Sequence, residues 1–264
     1  MRTFLTSRVA RISTALGAAL VLAVPAAAAA DRYVALGDSF SSGVGTGSYT
    51  LSSSCKRSVY AYPYLLSKQR AGTSLVFAAC SGATTSDLMA TQIQSVDAST
   101  TIVTVTIGGN DIGFANLIYQ CTIADCSAAL DSARGSLETV LGPSLNNVYA
   151  AIKARAAPGV KIVVLGYPHM FGSSSCLGTF GVSATERAKA NLLADALDTT
   201  IASQASIVTG VTYKSAITSF SAHAVCSSGP WLNGLNLFNT GESYHPTRNG
   251  HSLGYLPLVR AVTG

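Results

Sequence analysis

The sequence has no strong excess of either charge, and several common catalytic motifs are missing from it. It has 17 basic and 12 acidic residues among 264, a formal net charge of +5. This small and scattered excess does not indicate a nucleic-acid-binding protein. No Gly-x-Ser-x-Gly segment occurs, which argues against the α/β-hydrolase fold. No Walker loop and no His-Glu-x-x-His segment occurs either, and we infer no metal ion and no organic cofactor.

Residues 1–30 have the three-part pattern of a secretory signal. Three arginines open the segment, residues 15–24 are apolar but short for a membrane span, and the alanines at 26–30 provide cleavage sites. An uncleaved N-terminal anchor is the alternative; no later run is long and apolar enough to span a membrane. We predict a secreted protein of residues 31–264, a length that suits a single domain. Without Arg2, Arg8 and Arg11, 14 of the 17 basic residues remain against 12 acidic ones.

All six cysteines lie in the part of the chain that would be exported. An even number of cysteines in a secreted chain suggests disulfides, here three. A zinc site is disfavoured, because no Cys-x-x-Cys occurs and no histidine stands at ligand spacing from a cysteine. Many pairings are possible, and pairing of neighbours in sequence is the simplest: Cys55–Cys80, Cys121–Cys126 and Cys176–Cys226.

Short apolar runs alternate with segments of helical periodicity after residue 31. The runs at 101–107 and 160–165 are apolar on both faces, as a parallel sheet covered by helices requires. This alternation predicts a single α/β domain with a doubly wound sheet. The predicted strands are 33–36, 74–79, 101–107, 160–165 and 210–213; the predicted helices are 59–70, 85–95, 126–157 with a break at 142–143, and 184–206.

Small-residue turns follow the first three predicted strands, and each turn carries a group that acyl transfer needs. Ser39 follows the first strand and Gly37, which places its hydroxyl at the carboxyl edge of the sheet, where ligands of open α/β sheets bind. Gly82 follows the second strand and offers a backbone N–H. Asn110 follows the third and offers a side-chain amide. Ser39 is therefore a candidate nucleophile with an oxyanion site beside it.

A serine nucleophile needs a base, since an unassisted hydroxyl is weak near neutral pH. The chain has four histidines. His245 is the first candidate, because Pro246 keeps the backbone extended there and makes a rigid setting. His169, at the end of the fourth strand, is the second candidate. His251 is expected to make structural hydrogen bonds, and His223 has no distinguishing context.

Taken in order, these turns resemble the four sequence blocks of the SGNH (GDSL-type) hydrolase family. The blocks are Gly37-Asp38-Ser39, Gly82, Gly108-Gly109-Asn110-Asp111 and His245-Pro246, and they span almost the whole chain after residue 31. Within the family the chain is similar to secreted actinobacterial lipases, phospholipases and esterases with three disulfides. The resemblance implies a flavodoxin-like three-layer α/β/α sandwich with a central parallel sheet, and hydrolysis of carboxylic esters. It also implies Ser39 as nucleophile, His245 as base, and an oxyanion hole formed by the Ser39 amide, the Gly82 amide and the Asn110 side chain.

One position departs from the family pattern. Most members carry an aspartate three residues before the histidine, where this chain has Glu242. Its longer side chain could still hold the imidazole, as carboxylates do in related triads. Some members use a backbone carbonyl of the same loop instead, which Glu242 or Ser243 would supply. We favour the carbonyl, because an extra methylene changes the geometry more than such sites tolerate.

Large apolar residues are frequent in the loops that flank the predicted site. They suggest a lipid-binding wall, with ordinary packing as the alternative, and point to medium- or long-chain esters, including phospholipids, as substrates. We expect a monomer that meets its lipid ester substrate at a lipid interface. The runner-up is a carbohydrate (acetyl) esterase. A non-catalytic secreted binding module is a third interpretation, although it would not need Ser39, Asn110 and His245 together. The apolar residues are Phe114, Leu117, Ile118, Phe171, Leu177, Phe180, Trp231, Leu232, Leu235, Leu237 and Phe238.

Overall fold

Five parallel strands form the centre of the structure, a computed structural model that describes Met1 and residues 31–264. The strand order is β2-β1-β3-β4-β5, and all neighbouring strands are parallel. Apart from Met1, the predicted signal segment of residues 1–30 lies outside the described residues. The strands are β1 (Arg32–Gly37), β2 (Ser74–Phe77), β3 (Ile102–Thr106), β4 (Lys161–Leu165) and β5 (Val211–Lys214).

The order of the strands reverses at β1. The chain passes from β1 to β2 on one side and then crosses to β3 on the other, so β1 has both as neighbours. Ligands of open α/β sheets bind outside the carboxyl ends of the strands at such a reversal. The turns after β1, β2 and β3, which carry the residues singled out from the sequence, meet at this place.

Helices cover both faces of the sheet, and every residue of the central strand β3 is therefore buried. One group contains α2 and α9, which pack together, and another contains α5, α6 and α7. The predicted three-layer α/β/α sandwich is confirmed. The helices are α1 (Ser39–Ser42), α2 (Tyr62–Gln69), α3 (Thr85–Asp87), α4 (Phe114–Gln120), α5 (Ser127–Ser136), α6 (Gly142–Arg155), α7 (Ala184–Ile207), α8 (Ile217–Phe220) and α9 (Leu256–Thr263).

Local sequence explains where the helices begin and change pitch. The predicted break at 142–143 is a change of pitch and not an interruption: the chain stays helical from 127 to 155, and Pro143, which has no N–H to donate backwards, lies in the first turn of α6. The chain leaves α-helical pitch earlier than expected, in a wider turn at Leu137–Leu141. The predicted helix at 85–95 likewise continues from α3 into a π turn (Leu88–Gln92) and a 3₁₀ turn (Ile93–Ser95). None of the described helices is both long and apolar enough to cross a membrane.

Three disulfides restrain the loops, in the pairs that sequence order suggests. Cys55–Cys80 joins the loop before α2 to the segment after β2, and Cys121–Cys126 closes the turn between α4 and α5. Cys176–Cys226 joins the loop after β4 to the loop after α8. Two of these bridges therefore restrain loops at the carboxyl edge of the sheet.

Gly37 ends β1 in a backbone conformation that only glycine adopts without strain. Its φ is +123°, and a Cβ at this position would lie 2.2 Å from the Thr106 carbonyl oxygen. This close approach of β1 to β3 permits the next residue, Asp38, to donate its N–H to that same oxygen at 3.0 Å. Gly37 thereby sets the direction in which the chain enters α1 and its first residue, Ser39.

We expect Gly37→Ala to lower the free energy of unfolding by about 3 kcal/mol or more, because the β1–β3 contact must open to admit the methyl group. Gly47→Ala is the matched control. Gly47 also has a positive φ, +70°, but no atom lies within 4 Å of the place that an alanine methyl group would occupy, so only a backbone penalty of about 1–2 kcal/mol applies. Chemical denaturation measures both; equal losses would contradict the steric account.

Candidate active site

Ser39 is the first residue of α1 and lies directly after the end of β1. Its side chain is buried, and the Asp38 carboxylate caps the helix by accepting the Phe40 N–H at 3.0 Å. The Ser39 N–H itself has no acceptor among the hydrogen bonds of residues 31–264. A free backbone donor therefore lies next to the hydroxyl, which is what an oxyanion site requires.

Asp38 connects this turn to β3 and to the residues that follow β4. Its carboxylate accepts hydrogen bonds from the Thr106 hydroxyl at 2.8 Å and from the Tyr167 hydroxyl. Burial raises the pKa of Asp38 to about 6, although these hydrogen bonds act in the opposite direction. The Tyr167 oxygen in turn accepts the Gly109 N–H at 3.1 Å. One tyrosine hydroxyl thus joins the turn that carries Ser39 to the turn that carries Asn110.

Asn110 and Gly82 lie on neighbouring turns that are hydrogen-bonded to each other. The Asn110 amide donates to the Ala83 carbonyl at 2.9 Å, and the Asp111 carboxylate accepts the Thr85 N–H at 3.0 Å. Asn110 and Ser39 line the same small cavity, together with Phe114 and Tyr167 among others. Gly82 is not among the residues that line it. Its N–H has no acceptor within the described chain, and its φ is +84°.

His245 lies against Ser39, although the two are 206 positions apart in the chain. Its Nε2 is 2.8 Å from the Ser39 hydroxyl oxygen, and its Nδ1 is 2.8 Å from the Ser243 carbonyl oxygen. Because a carbonyl only accepts, Nδ1 carries the proton and Nε2 is left to accept one from Ser39. The backbone here is held by Asn233, which donates to the His245 carbonyl at 2.9 Å and accepts the Tyr244 N–H at 3.1 Å.

Burial lowers the pKa of His245 to about 4. The Ser243 carbonyl and the Glu242 charge raise this pKa, but by less than burial lowers it, and the Lys56 charge lowers it further. The imidazole is therefore neutral at neutral pH, which is the state in which it can accept a proton.

The Glu242 side chain does not bind the imidazole. Its carboxylate accepts the Tyr49 hydroxyl at 2.6 Å, whereas Nδ1 of His245 is bound by the carbonyl of Ser243. Of the two alternatives left open by the sequence, the structure places the backbone carbonyl next to the imidazole. The Glu242 carboxylate acts on His245 through its charge alone.

None of the other three histidines is hydrogen-bonded to Ser39. His169, the second candidate base, pairs with Asp195 at 2.7 Å, so the structure does not bring it to the nucleophile. His251 is fully buried and stacks on the Tyr62 ring. The His223 ring stacks on Trp231 with 3.7 Å between the ring centroids.

Sequence reasoning missed two side chains that hold the site together. Tyr167 follows β4 at the same carboxyl edge as the other site residues, so its place in the chain was a usable signal. Gln92 accepts the Gly37 N–H at 2.7 Å and donates to the Gly37 carbonyl at 2.9 Å, and both groups are buried. Nothing in the local sequence distinguishes Gln92 from a surface helical residue.

The large apolar loop residues do not form one wall along the catalytic cavity. Four are buried in the core: Phe114, Ile118, Phe171 and Leu232. Three are partly buried against it: Leu117, Trp231 and Leu235. Four are exposed and line neither the cavity at Ser39 nor the groove at His245: Leu177, Phe180, Leu237 and Phe238. The groove, of about 360 Å³, reaches His245 between α4 and residues 240–245.

One cluster among the described residues has the spacing of a metal site, and its chemistry does not suit a metal ion. It consists of Cys121, Cys126 and Glu186. The two cysteines form a disulfide, and the Glu186 carboxylate accepts the Cys126 N–H at 2.9 Å. Thiolate ligands are therefore not available there.

Comparison with known proteins agrees with this geometry. The model of the GDSL-like lipase/acylhydrolase family matches residues 35–253. The chain belongs to this family. It is a carboxylic ester hydrolase, and the resemblance found in its sequence blocks is confirmed.

Similar proteins in this family come from Streptomyces. Lipase 1 of Streptomyces coelicolor is 41% identical over 264 residues, which cover 98% of this chain and 97% of the relative. An extracellular lipase of Streptomyces rimosus is 43% identical, with a TM-score of 0.83 over 88% of this chain and 100% of that structure. Phospholipase A1 of Streptomyces albidoflavus is 39% identical, again with a TM-score of 0.83, over 89% of this chain and 100% of that structure. An acetylxylan esterase of Geobacillus stearothermophilus, at 16% identity and a TM-score of 0.52, shares the fold.

If His245 is the catalytic base, its lowered pKa predicts the acid limb of activity. We expect kcat/KM on a soluble ester to be constant down to about pH 5 and to fall about tenfold per pH unit well below the pKa, which is about 4. The fall goes with acidification, because protonated Nε2 cannot accept the Ser39 proton. Circular dichroism at each pH controls for unfolding. A limb centred near pH 6 would instead assign it to Asp38.

Proposed function

We propose that the protein is an exported hydrolase of lipid esters that works through an acyl-enzyme on Ser39. The observation that carries this proposal is the linked pair of contacts at His245. Nε2 lies 2.8 Å from the Ser39 hydroxyl, and Nδ1 lies 2.8 Å from a carbonyl that fixes the tautomer. A serine paired in this way with an oriented, neutral imidazole is an activated nucleophile.

The first half of the reaction forms the acyl-enzyme. His245 takes the Ser39 proton as the oxygen attacks the ester carbonyl, and the oxyanion accepts hydrogen bonds from the Ser39 N–H, the Gly82 N–H and the Asn110 amide. Losing one such donor typically costs about 2.7–4 kcal/mol of transition-state stabilisation. The carbonyl then re-forms and the alcohol leaves with the proton from His245. Asn110 and Gly82 are held for this role by the hydrogen bonds that connect their turns.

The second half releases the acid. Water attacks the acyl-enzyme while His245 again acts as base, and the second tetrahedral intermediate collapses to the free acid and Ser39. Throughout, the Ser243 carbonyl accepts a hydrogen bond from the Nδ1–H group and stabilises the imidazolium that forms. A carbonyl carries no full charge, so the nearby Glu242 carboxylate supplies the longer-range attraction.

Lipid esters are the proposed substrates, for two reasons. Relatives at 39–43% identity are a phospholipase A1 and lipases. The groove that reaches His245 is lined by Ala115, Tyr119 and Tyr244 and by polar groups such as Asn116 and Thr240, so it offers apolar surface to an acyl chain and hydrogen bonds to the polar part of a lipid ester. No observation of the site favours the carbohydrate esterase or the non-catalytic binding module.

Export and a monomeric state complete the proposal. The N-terminal pattern at residues 1–30 and the three disulfides support an oxidising, extracellular location. The catalytic groups come from one chain, so the site needs no second copy.

The direct test is Ser39→Ala. We expect hydrolysis of a chromogenic acyl ester to fall by about 10⁴-fold or more, because the acyl-enzyme cannot form. Ser54→Ala, at an exposed serine, is the matched control and should retain full activity and label with a fluorophosphonate. Substantial hydrolysis by the Ser39→Ala protein would overturn the assignment.

Glu242→Gln separates the two ways of orienting His245. The Nδ1–H group of His245 donates its hydrogen bond to the Ser243 carbonyl, which this change leaves in place. We therefore expect kcat/KM to fall by less than about tenfold, because only the negative charge of Glu242 is lost. Glutamine keeps an acceptor for Tyr49. A carboxylate that oriented the imidazole directly would cost about 10⁴-fold on amidation. A loss of that size in a protein of unchanged melting temperature would contradict the role given to Ser243.

A further inference from the structure

Four large apolar side chains form an exposed cluster near the catalytic histidine. Leu177, Phe180, Leu237 and Phe238 are 87, 66, 76 and 104% exposed. With residues 233–236 they line one surface cavity of about 520 Å³. We call these four side chains the apolar rim. Single exposed apolar residues are ordinary, whereas a contiguous group marks a surface that binds something.

The apolar rim belongs to two loops that are locked together. Cys176–Cys226 bridges the loops, and the Leu235 N–H donates to the Gly178 carbonyl at 2.9 Å. Gly178 and Gly234 touch, since a Cβ on Gly234 would lie 2.4 Å from the Gly178 Cα. The rim is therefore one preformed surface, which loses little conformational freedom when it binds.

The segment that carries Leu237 and Phe238 is hydrogen-bonded to the segment that carries the catalytic base. Asn233, which precedes Leu237 and Phe238, pairs with residues 244 and 245 through two backbone hydrogen bonds of 3.1 and 2.9 Å. Asn236 donates its N–H to the Ser243 hydroxyl at 2.9 Å. A surface that covers the rim would therefore lie beside the groove that reaches His245.

The charge pattern indicates which kind of partner fits. Residues 162–185 and 215–241, the two segments that contain the four rim side chains, have no Asp, Glu, Lys or Arg. When these two segments lie against an uncharged surface, none of their side chains is a charged group that must leave water. The free energy gained by burying the apolar side chains is therefore not opposed by a large desolvation free energy. Anionic membranes attract proteins through Lys and Arg clusters, which these loops lack.

We propose that the apolar rim docks the enzyme on aggregated zwitterionic or uncharged lipid. This inference rests on the proposed function, because the surface it recognises is the one that presents lipid esters to the groove at His245. The rim makes no contact with the reacting ester. It raises the local concentration of lipid at the mouth of the site, and hydrolysis of a dissolved ester does not use it.

The experiment measures binding apart from turnover. Ser39→Ala protein is floated with phosphatidylcholine vesicles, with and without the added double change Leu237→Ser and Phe238→Ser. The double change should lower the partition coefficient at least about tenfold, since each large apolar side chain contributes more than that when it is buried. High salt should leave binding unchanged, because no ion pair takes part.

Ile207→Ser is the matched control. Ile207 is 63% exposed and ends α7, just before β5 begins, so it lies at the amino edge of the sheet, opposite the site. This variant should bind vesicles as the parent does. When Ser39 is retained, the double variant should hydrolyse a dissolved short-chain ester at a rate within about twofold of the parent. It should hydrolyse vesicular phosphatidylcholine at least about tenfold more slowly than the parent.

Three results would overturn the inference. The first is equal vesicle binding by the double variant and its parent, and the second is vesicle binding that high salt abolishes. The third is a dimer in solution that the double change dissociates, because the apolar rim would then bind a second copy of the chain. Failure of the proposed function has a different signature. There the Ser39 protein hydrolyses no ester in any form, while the Ser39→Ala protein still floats with the vesicles.

Discussion

The close approach of β1 to β3 at Gly37 is the constraint on which the site depends. Gly37 has no side chain to separate the strands, so the Thr106 carbonyl accepts the Asp38 N–H and the chain turns at once into α1. Gln92 binds both backbone groups of Gly37 in the buried turn. The position of the Ser39 hydroxyl is thereby tied to the core of the sheet rather than to a mobile loop, which favours a precisely placed nucleophile.

From this point hydrogen bonds connect one turn to the next. Tyr167 joins Asp38 to the Gly109 amide, and Asn110 is held by the Ala83 carbonyl. His245 comes from a loop far along the chain and is held by its own backbone pairing with Asn233. Burial acts on the whole set. It lowers the pKa of His245 and raises that of Asp38, so the base is neutral and the capping carboxyl lies near its titration point at mildly acidic pH.

Much of the fold could be predicted from the sequence. All five predicted strands are present within a few residues of their predicted ends, and the runs at 101–107 and 160–165, apolar on both faces, are the two central strands β3 and β4 of the covered parallel sheet. Segment 85–95 was less predictable, since helical periodicity does not distinguish α from π or 3₁₀ turns. The apolar loop residues show the same limit: nothing in the local pattern separates buried Phe171 from exposed Phe238, because the difference arises from the paths of two disulfide-linked loops.

The amino-acid sequence determined the family, the succession of strands and helices along the chain and the residues that can carry acyl transfer, since each depends on local composition. The tertiary structure alone decided how the His245 imidazole is oriented. Nδ1 of His245 meets the Ser243 carbonyl, while the Glu242 carboxylate accepts the hydroxyl of Tyr49, almost two hundred residues earlier in the chain. Contacts between such distant segments are a property of the packed chain, and spacing along the sequence does not contain them.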